Sequence, residues 1–65
     1  MKAQEPTRYW IFHFGWHWYE KYLFKKPKTR DEVLSAMDPK ARADREYRYG
    51  KMEVEPVTKS RFYAL

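Results

Sequence analysis

One stretch, Tyr9–Phe24 (YWIFHFGWHWYEKYLF), constrains this chain more than any other. It holds all three Trp, three of the four Phe and three of the six Tyr. Rings at that density have to leave water, and the rest of the chain offers little to cover them. Outside the stretch the aliphatic residues with large side chains are only Val33, Leu34, Val54, Val57 and Leu65, set among Lys, Arg, Asp and Glu. A chain of 65 residues is below the size at which one core leaves much surplus stability. Without Cys it has neither a disulfide framework nor a Cys-based metal site as a staple. These facts predict no independent globular core, so that lipid or other chains complete the fold.

The stretch itself reads with two periods. With period two, Trp10, Phe12, Phe14, Trp16 and Trp18 fall on one face and Ile11, His13, Gly15, His17 and Tyr19 on the other, an alternation that suits a strand. With period 3.6 it is apolar nearly all round, as in a helix buried in protein or lipid. Its polar stripe is then His13, His17 and Glu20. A second stripe is Ile11, Gly15, Trp18 and Tyr22, where glycine lets another backbone approach. The helix is the preferred reading, because no later run offers the two or three partners a strand needs and Gly15 would weaken a strand at its centre. Sixteen residues rise about 24 Å as a helix, short of a hydrocarbon core of roughly 30 Å, but Trp and Tyr belong at the headgroup boundary. Lys2 and Arg8 flank one end; Lys25, Lys26, Lys28 and Arg30 flank the other and suit anionic headgroups such as cardiolipin.

Around the stretch, Met1–Thr7 is polar and lacks the apolar region of a secretory signal, so import would need an internal signal. Pro27 ends the aromatic element. Thr29 and Glu32 form a capping-box pattern ahead of a short helix, Arg30–Met37. Asp38-Pro39 suits the cap and first position of a second helix, Pro39–Tyr49, closed by Gly50. Lys40–Asp44, Arg42–Glu46 and Asp44–Arg48 lie four apart on it and favour a salt-bridged surface. Residues 51–65 are expected to run extended over a neighbour, anchored by Phe62, Tyr63 and Leu65. The predicted fold is mainly α: a polar segment (residues 1–8), a transmembrane or interfacial aromatic helix (9–24), then a basic linker, a charged surface helix and an extended C-terminal tail (25–65).

Catalysis finds no support. There is no nucleophile elbow, no triad arrangement and no glycine-rich phosphate loop, since Gly15 and Gly50 are the only glycines. His13, His17 and Glu20 could face one metal on a helix, but they lack the HExxH glutamate placement, and no metal or cofactor is expected. Arg42, Arg45, Tyr47, Arg48, Tyr49 and Lys51 interleave cations with aromatics, as nucleic-acid binders do. Asp44 and Glu46 among them favour a solvated, ion-paired helix instead. The net charge of +5 permits an anionic partner of any kind.

Several motifs together point to a family. Tyr9-Trp10 opens an aromatic span with a central glycine; Asp38-Pro39-Lys40 follows, and then Gly50-Lys51-Met52-Glu53-Val54-Glu55. This resembles subunit i/j of the mitochondrial F-type ATP synthase, departing from its pattern at Ile11, His13 and His17. The resemblance implies a non-catalytic accessory subunit of the inner mitochondrial membrane, packed on the proton-channel subunit and its neighbours. In that setting Trp10, Ile11, Gly15, Trp18 and Tyr22 would contact partner chains. The alternative is a small basic protein of a ribonucleoprotein such as a mitochondrial ribosome, with nucleic acid as its partner.

Overall fold

The computed structural model describes residues 5–65. The expected flank at Lys2 and the first half of the polar segment 1–8 lie outside the described residues. Along the chain come β1 (Thr7–Phe14), β2 (Trp18–Lys28), α1 (Arg30–Ala36), α2 (Pro39–Tyr49), β3 (Met52–Pro56) and α3 (Lys59–Ala64). The strands form one antiparallel sheet in the order β2-β1-β3.

The aromatic stretch is therefore a β-hairpin, and the membrane-embedded helix expected over residues 9–24 is overturned. Gly15 explains the difference. It sits with φ +64° in the three-residue turn Gly15–His17 and does not interrupt a strand. The turn divides the stretch in two, and Phe14 pairs with Trp18 across it, so each half supplies the neighbour that the other needs. The third partner is the short alternating run Met52–Pro56, too brief to stand out beside the hairpin. Period two then governs burial. Among the described residues no helix is long and apolar enough to cross a membrane.

Apolar residues gather on both sides of the sheet. Trp10, Phe12 and Phe14 join Met52 and Val54 on one face, where Val33 of α1 packs, with Leu34, Met37, Phe24 and Tyr49 partly buried around them. On the other face Ile11 meets Val57 and Phe62, with Tyr9 alongside. The expectation of no independent core fails here, because five scattered apolar residues outside the hairpin (Val33, Met52, Val54, Val57 and Phe62) all turn inward. The C-terminal tail is also corrected. Residues 52–56 pair with β1 of the same chain, and α3 carries Phe62 onto Ile11. Lys21 closes α3 by donating to the carbonyls of Phe62 (3.1 Å) and Leu65 (3.0 Å), where a cation favours a helix end.

The two central helices follow their sequence signals closely. Glu32 N donates to Thr29 Oγ1, and Glu32 Oε1 accepts from Thr29 N, completing the capping box of α1. Asp38 caps α2 with Pro39 at its first position. Two of the three expected ion pairs on α2 form, Arg42–Glu46 at 3.4 Å and Arg48–Asp44 at 3.3 Å. Lys40–Asp44 is not among the ion pairs of the described residues.

The hairpin tip is held by backbone contact. Gly15 N donates to Lys51 O at 3.0 Å. A Cβ on Gly15 would lie 2.1 Å from Tyr49 O, and one on Gly50 would lie 2.7 Å from Gly15 Cα. Both glycines also have positive φ, +64° and +122°. Gly15→Ala is expected to destabilise the fold by more than the roughly 1–2 kcal/mol that a left-handed backbone alone costs a side chain, since the tip must also separate from Tyr49. Phe12→Ala, inside the larger core, is expected to cost about 3–5 kcal/mol, enough to unfold a domain this small. Urea titration followed by circular dichroism measures both, with Gly15→Ala retaining a folded baseline as the point that separates them.

Candidate functional site

The turn and the C-terminal end of α2 together build an aromatic platform. Trp18, the first residue of β2, stacks on Tyr49, the last of α2, with centroids 4.5 Å apart and planes within 9°. Parallel stacking at this distance contributes about 0.5–1.5 kcal/mol, with Trp18 42% exposed and Tyr49 half-buried. Trp16 at the turn is 93% exposed, and its nearest ring is His17 at 4.9 Å. Tyr47, on the outer side of α2, is 92% exposed.

Beneath the stack Glu20 acts as a hub. Arg45 Nε donates to its carboxylate at 2.7 Å, Trp18 Nε1 at 3.2 Å and Tyr22 Oη at 3.0 Å. Three donors from β2 and α2 thus meet one carboxylate, which fixes the Trp18 indole and ties the sheet to the helix. Burial alone would raise the Glu20 carboxyl, but the hydrogen bonds from Arg45, Trp18 and Tyr22, with the Arg45 charge, hold it below its ordinary value. Burial and the Glu20 carboxylate push the Tyr22 hydroxyl upward. Arg45 gains from the same pair and stays charged.

Glu20, Asp44 and Glu46, around the Trp18–Tyr49 stack, each have a basic or amide partner, whereas the exposed Glu53, which shares a shallow depression with Trp16, has none among the ion pairs of the described residues. Asp44 is engaged by Arg48 and Glu20 by Arg45, while Glu46 takes Arg42 and the Met52 amide. Lys51 lies next to Gly50 on an exposed position and has no partner among the ion pairs of the described residues. The larger surplus of positive charge lies at the other end of β2. The register slips between Tyr9↔Leu23 and Thr7↔Lys28, which places residues 24–27 in a bulge opposite Arg8. Arg8 Nε donates to Phe24 O at 2.9 Å and pins that bulge. Lys25 and Lys26 stand out from it into solvent, with Lys28 and Arg30 half-buried just beyond.

The residues expected to make one contact stripe are dispersed. Trp10 and Ile11 are fully buried on opposite faces of the sheet, Gly15 is exposed but abuts the chain's own Gly50, and Trp18 and Tyr22 are open to solvent. Lys25, Lys26, Lys28 and Arg30 do stay together at one edge. His13, His17 and Glu20 do not converge, because a strand sends His13 and Glu20 to different faces. His13 Nε2 lies 2.9 Å from Glu55, which also meets Arg61 at 3.7 Å. No group of three or more His, Cys, Asp or Glu able to hold a metal occurs among the described residues. The sequence reading missed the Trp18–Tyr49 stack and the Glu20–Arg45 pair, both of which join residues more than twenty apart. Its one usable signal was the cation–aromatic run Arg45–Lys51, whose Tyr49 turns out to be half of the platform.

No family model, curated protein or solved structure matches the chain.

The Glu20 hub should show in the acid response. Its carboxyl titrates below 4.5 in the folded chain, so its stabilisation is complete above that pH and is lost as pH falls through the folded value. Glu20→Gln is expected to lower the melting temperature at neutral pH, and the gap to the natural chain should close as acidification carries the Glu20 carboxyl through its lowered folded value. Glu32, held low by the Thr29 backbone and hydroxyl, adds a parallel acid loss in both proteins and leaves the difference intact. A gap that stays constant with pH would show that Glu20 is not the titrating hub.

Proposed function

We propose that this protein is a small, non-catalytic binding module for single-stranded nucleic acid, with a ribonucleoprotein as its setting. The observation that carries the reading is the aromatic end of the hairpin: Trp16 free at a turn held by backbone contact, two residues along the chain from the parallel Trp18–Tyr49 pair. Every nucleobase presents a π face, so rings held open on a firm scaffold bind bases without reading sequence. The arginines near the platform are already paired with carboxylates, which leaves stacking as its main attraction. The net charge of +5 supplies the long-range pull on phosphates. A groove lined by two or more catalytic groups is not part of the reading.

An accessory subunit of a mitochondrial inner-membrane complex, such as the F-type ATP synthase, keeps only the sequence motifs in its support. The helix that carried it is a hairpin whose Trp10, Ile11, Phe12 and Phe14 are buried inside the chain.

Binding of a fluorescein-labelled oligouridylate, followed by anisotropy at low salt, tests the proposal. Trp16 packs on no core residue, so Trp16→Ala is expected to keep the native melting temperature while weakening binding by about 1–3 kcal/mol, roughly 5- to 150-fold. Affinity should also fall as salt rises. Absence of binding at low salt, or equal affinity of the natural chain and the Trp16→Ala variant, would defeat the reading.

A further inference from the structure

The aromatic platform and the basic cluster occupy the two ends of one strand. Trp18 opens β2, and Lys25, Lys26 and Lys28 close it. β2 lies at the edge of the sheet, so its outer backbone groups pair with nothing in the sheet. Eleven residues at about 3.3 Å each would run about 36 Å if straight, more than the 29 Å of the molecule's longest dimension, so β2 bends and its path is bounded by that dimension. Between its ends β2 presents Tyr19, Tyr22 and Leu23 to solvent. Its only acidic residue is Glu20, neutralised by Arg45. At the far end Asp31 and Glu32 adjoin Arg30 and the Glu5 carboxylate accepts from the Arg30 amide, with Glu32 committed to the α1 cap.

Neither end is a complete site for a polynucleotide. The platform has rings but little uncompensated charge; the bulge has charge but no free ring beside it. We infer that the exposed edge of β2 is a single track, along which one strand of nucleic acid stacks its bases at the Trp16–Trp18–Tyr49 end and lays its phosphates over Lys25, Lys26 and Lys28. The inference rests on the nucleic-acid reading above and adds the path and length of the ligand. The bulge takes Lys25 and Lys26 out of the pairing register, and both stand exposed. A stacked strand advances about 3.4 Å per nucleotide and a drawn-out one about twice that, so a track bounded by 29 Å holds about four to nine nucleotides. That lies within the range known for single-strand grooves on small β domains. A duplex is excluded from the platform end, because its bases are already stacked on one another.

The test compares oligouridylates of about three and about nine nucleotides on the natural chain, on Trp16→Ala and on the double variant Lys25→Gln, Lys26→Gln. Both lysines are exposed, so the double variant is expected to melt with the natural chain. The natural chain should bind the longer oligomer at least about tenfold more tightly than the shorter. The double variant should lose most of that gain, keep its affinity for the short oligomer, and show a salt slope smaller by about 1.4, at roughly 0.7 per phosphate contact. Trp16→Ala should weaken both oligomers by a similar factor.

Affinity that levels off at three nucleotides, or a double variant that weakens both oligomers equally, would overturn the track and leave the platform standing. Failure of every oligomer to bind would defeat the nucleic-acid reading itself. Tighter binding to phosphatidylserine vesicles than to the long oligomer, undiminished when that oligomer is added, would identify the basic end as a membrane contact and overturn the track.

Discussion

Gly15 and Gly50, thirty-five residues apart, meet with their backbones closer than any side chain allows. A methyl group on either one would strike the other strand's main chain or the Tyr49 carbonyl. Through this contact the hairpin tip lies against the junction of α2 and β3, and the Gly15 amide reaches Lys51 O. Three features follow from it. The tip is held at a fixed place, Trp18 is brought parallel to Tyr49, and β3 is delivered to the free edge of β1. A larger residue at either position would have to push the hairpin away from the helix, and the platform would part before the core did.

The sheet shows how a short chain covers many rings. β1 is the central strand and is buried on both faces, which is why its alternation contains Ile11 on one side and Trp10, Phe12 and Phe14 on the other. β2 and β3 shield its edges, while α1 and α2 cover one face and α3 part of the other. Two small cores result, each closed by residues from distant parts of the chain. The rings most open to solvent are Trp16 at the turn and Tyr47 on the outer side of α2, with Tyr63 on α3 and Trp18, Tyr19 and Tyr22 along β2 less so. Glu20 holds the Trp18 end of β2 to α2 through three donors, and the same carboxylate neutralises the nearest arginine.

Charge is distributed unevenly around this frame. α2 carries three of the six arginines, but its carboxylates and Glu20 cancel them pair by pair, which leaves a polar face of low net potential. The lysines of the β2 bulge have no such partners among the ion pairs of the described residues, and they stand on the edge strand. Lysines there also discourage a second copy from pairing with the open edge, a common protection for exposed strands. A polyanion meets no such penalty.

Local chemistry was legible in the sequence. The capping box at Thr29 and Glu32, Asp38-Pro39 at the head of α2, its end at Gly50 and two of its ion pairs depend on residues within a few positions of one another, so spacing alone reveals them. The strand period of Tyr9–Phe24 was written there as well, but so was a helix of nearly uniform apolarity, and propensity does not choose between them. Long-range pairing chose. Gly15 could turn only because Gly50 was there to receive it, and β1 could be a central strand only because Met52 and Val54 returned to its edge. The aromatic platform belongs to the same class, since Trp18 and Tyr49 become neighbours through contacts that no sequence window spans. What the residues determined alone was which segments would cap, turn and alternate; where the rings and charges finally meet was decided by the packing of segments thirty to forty residues apart.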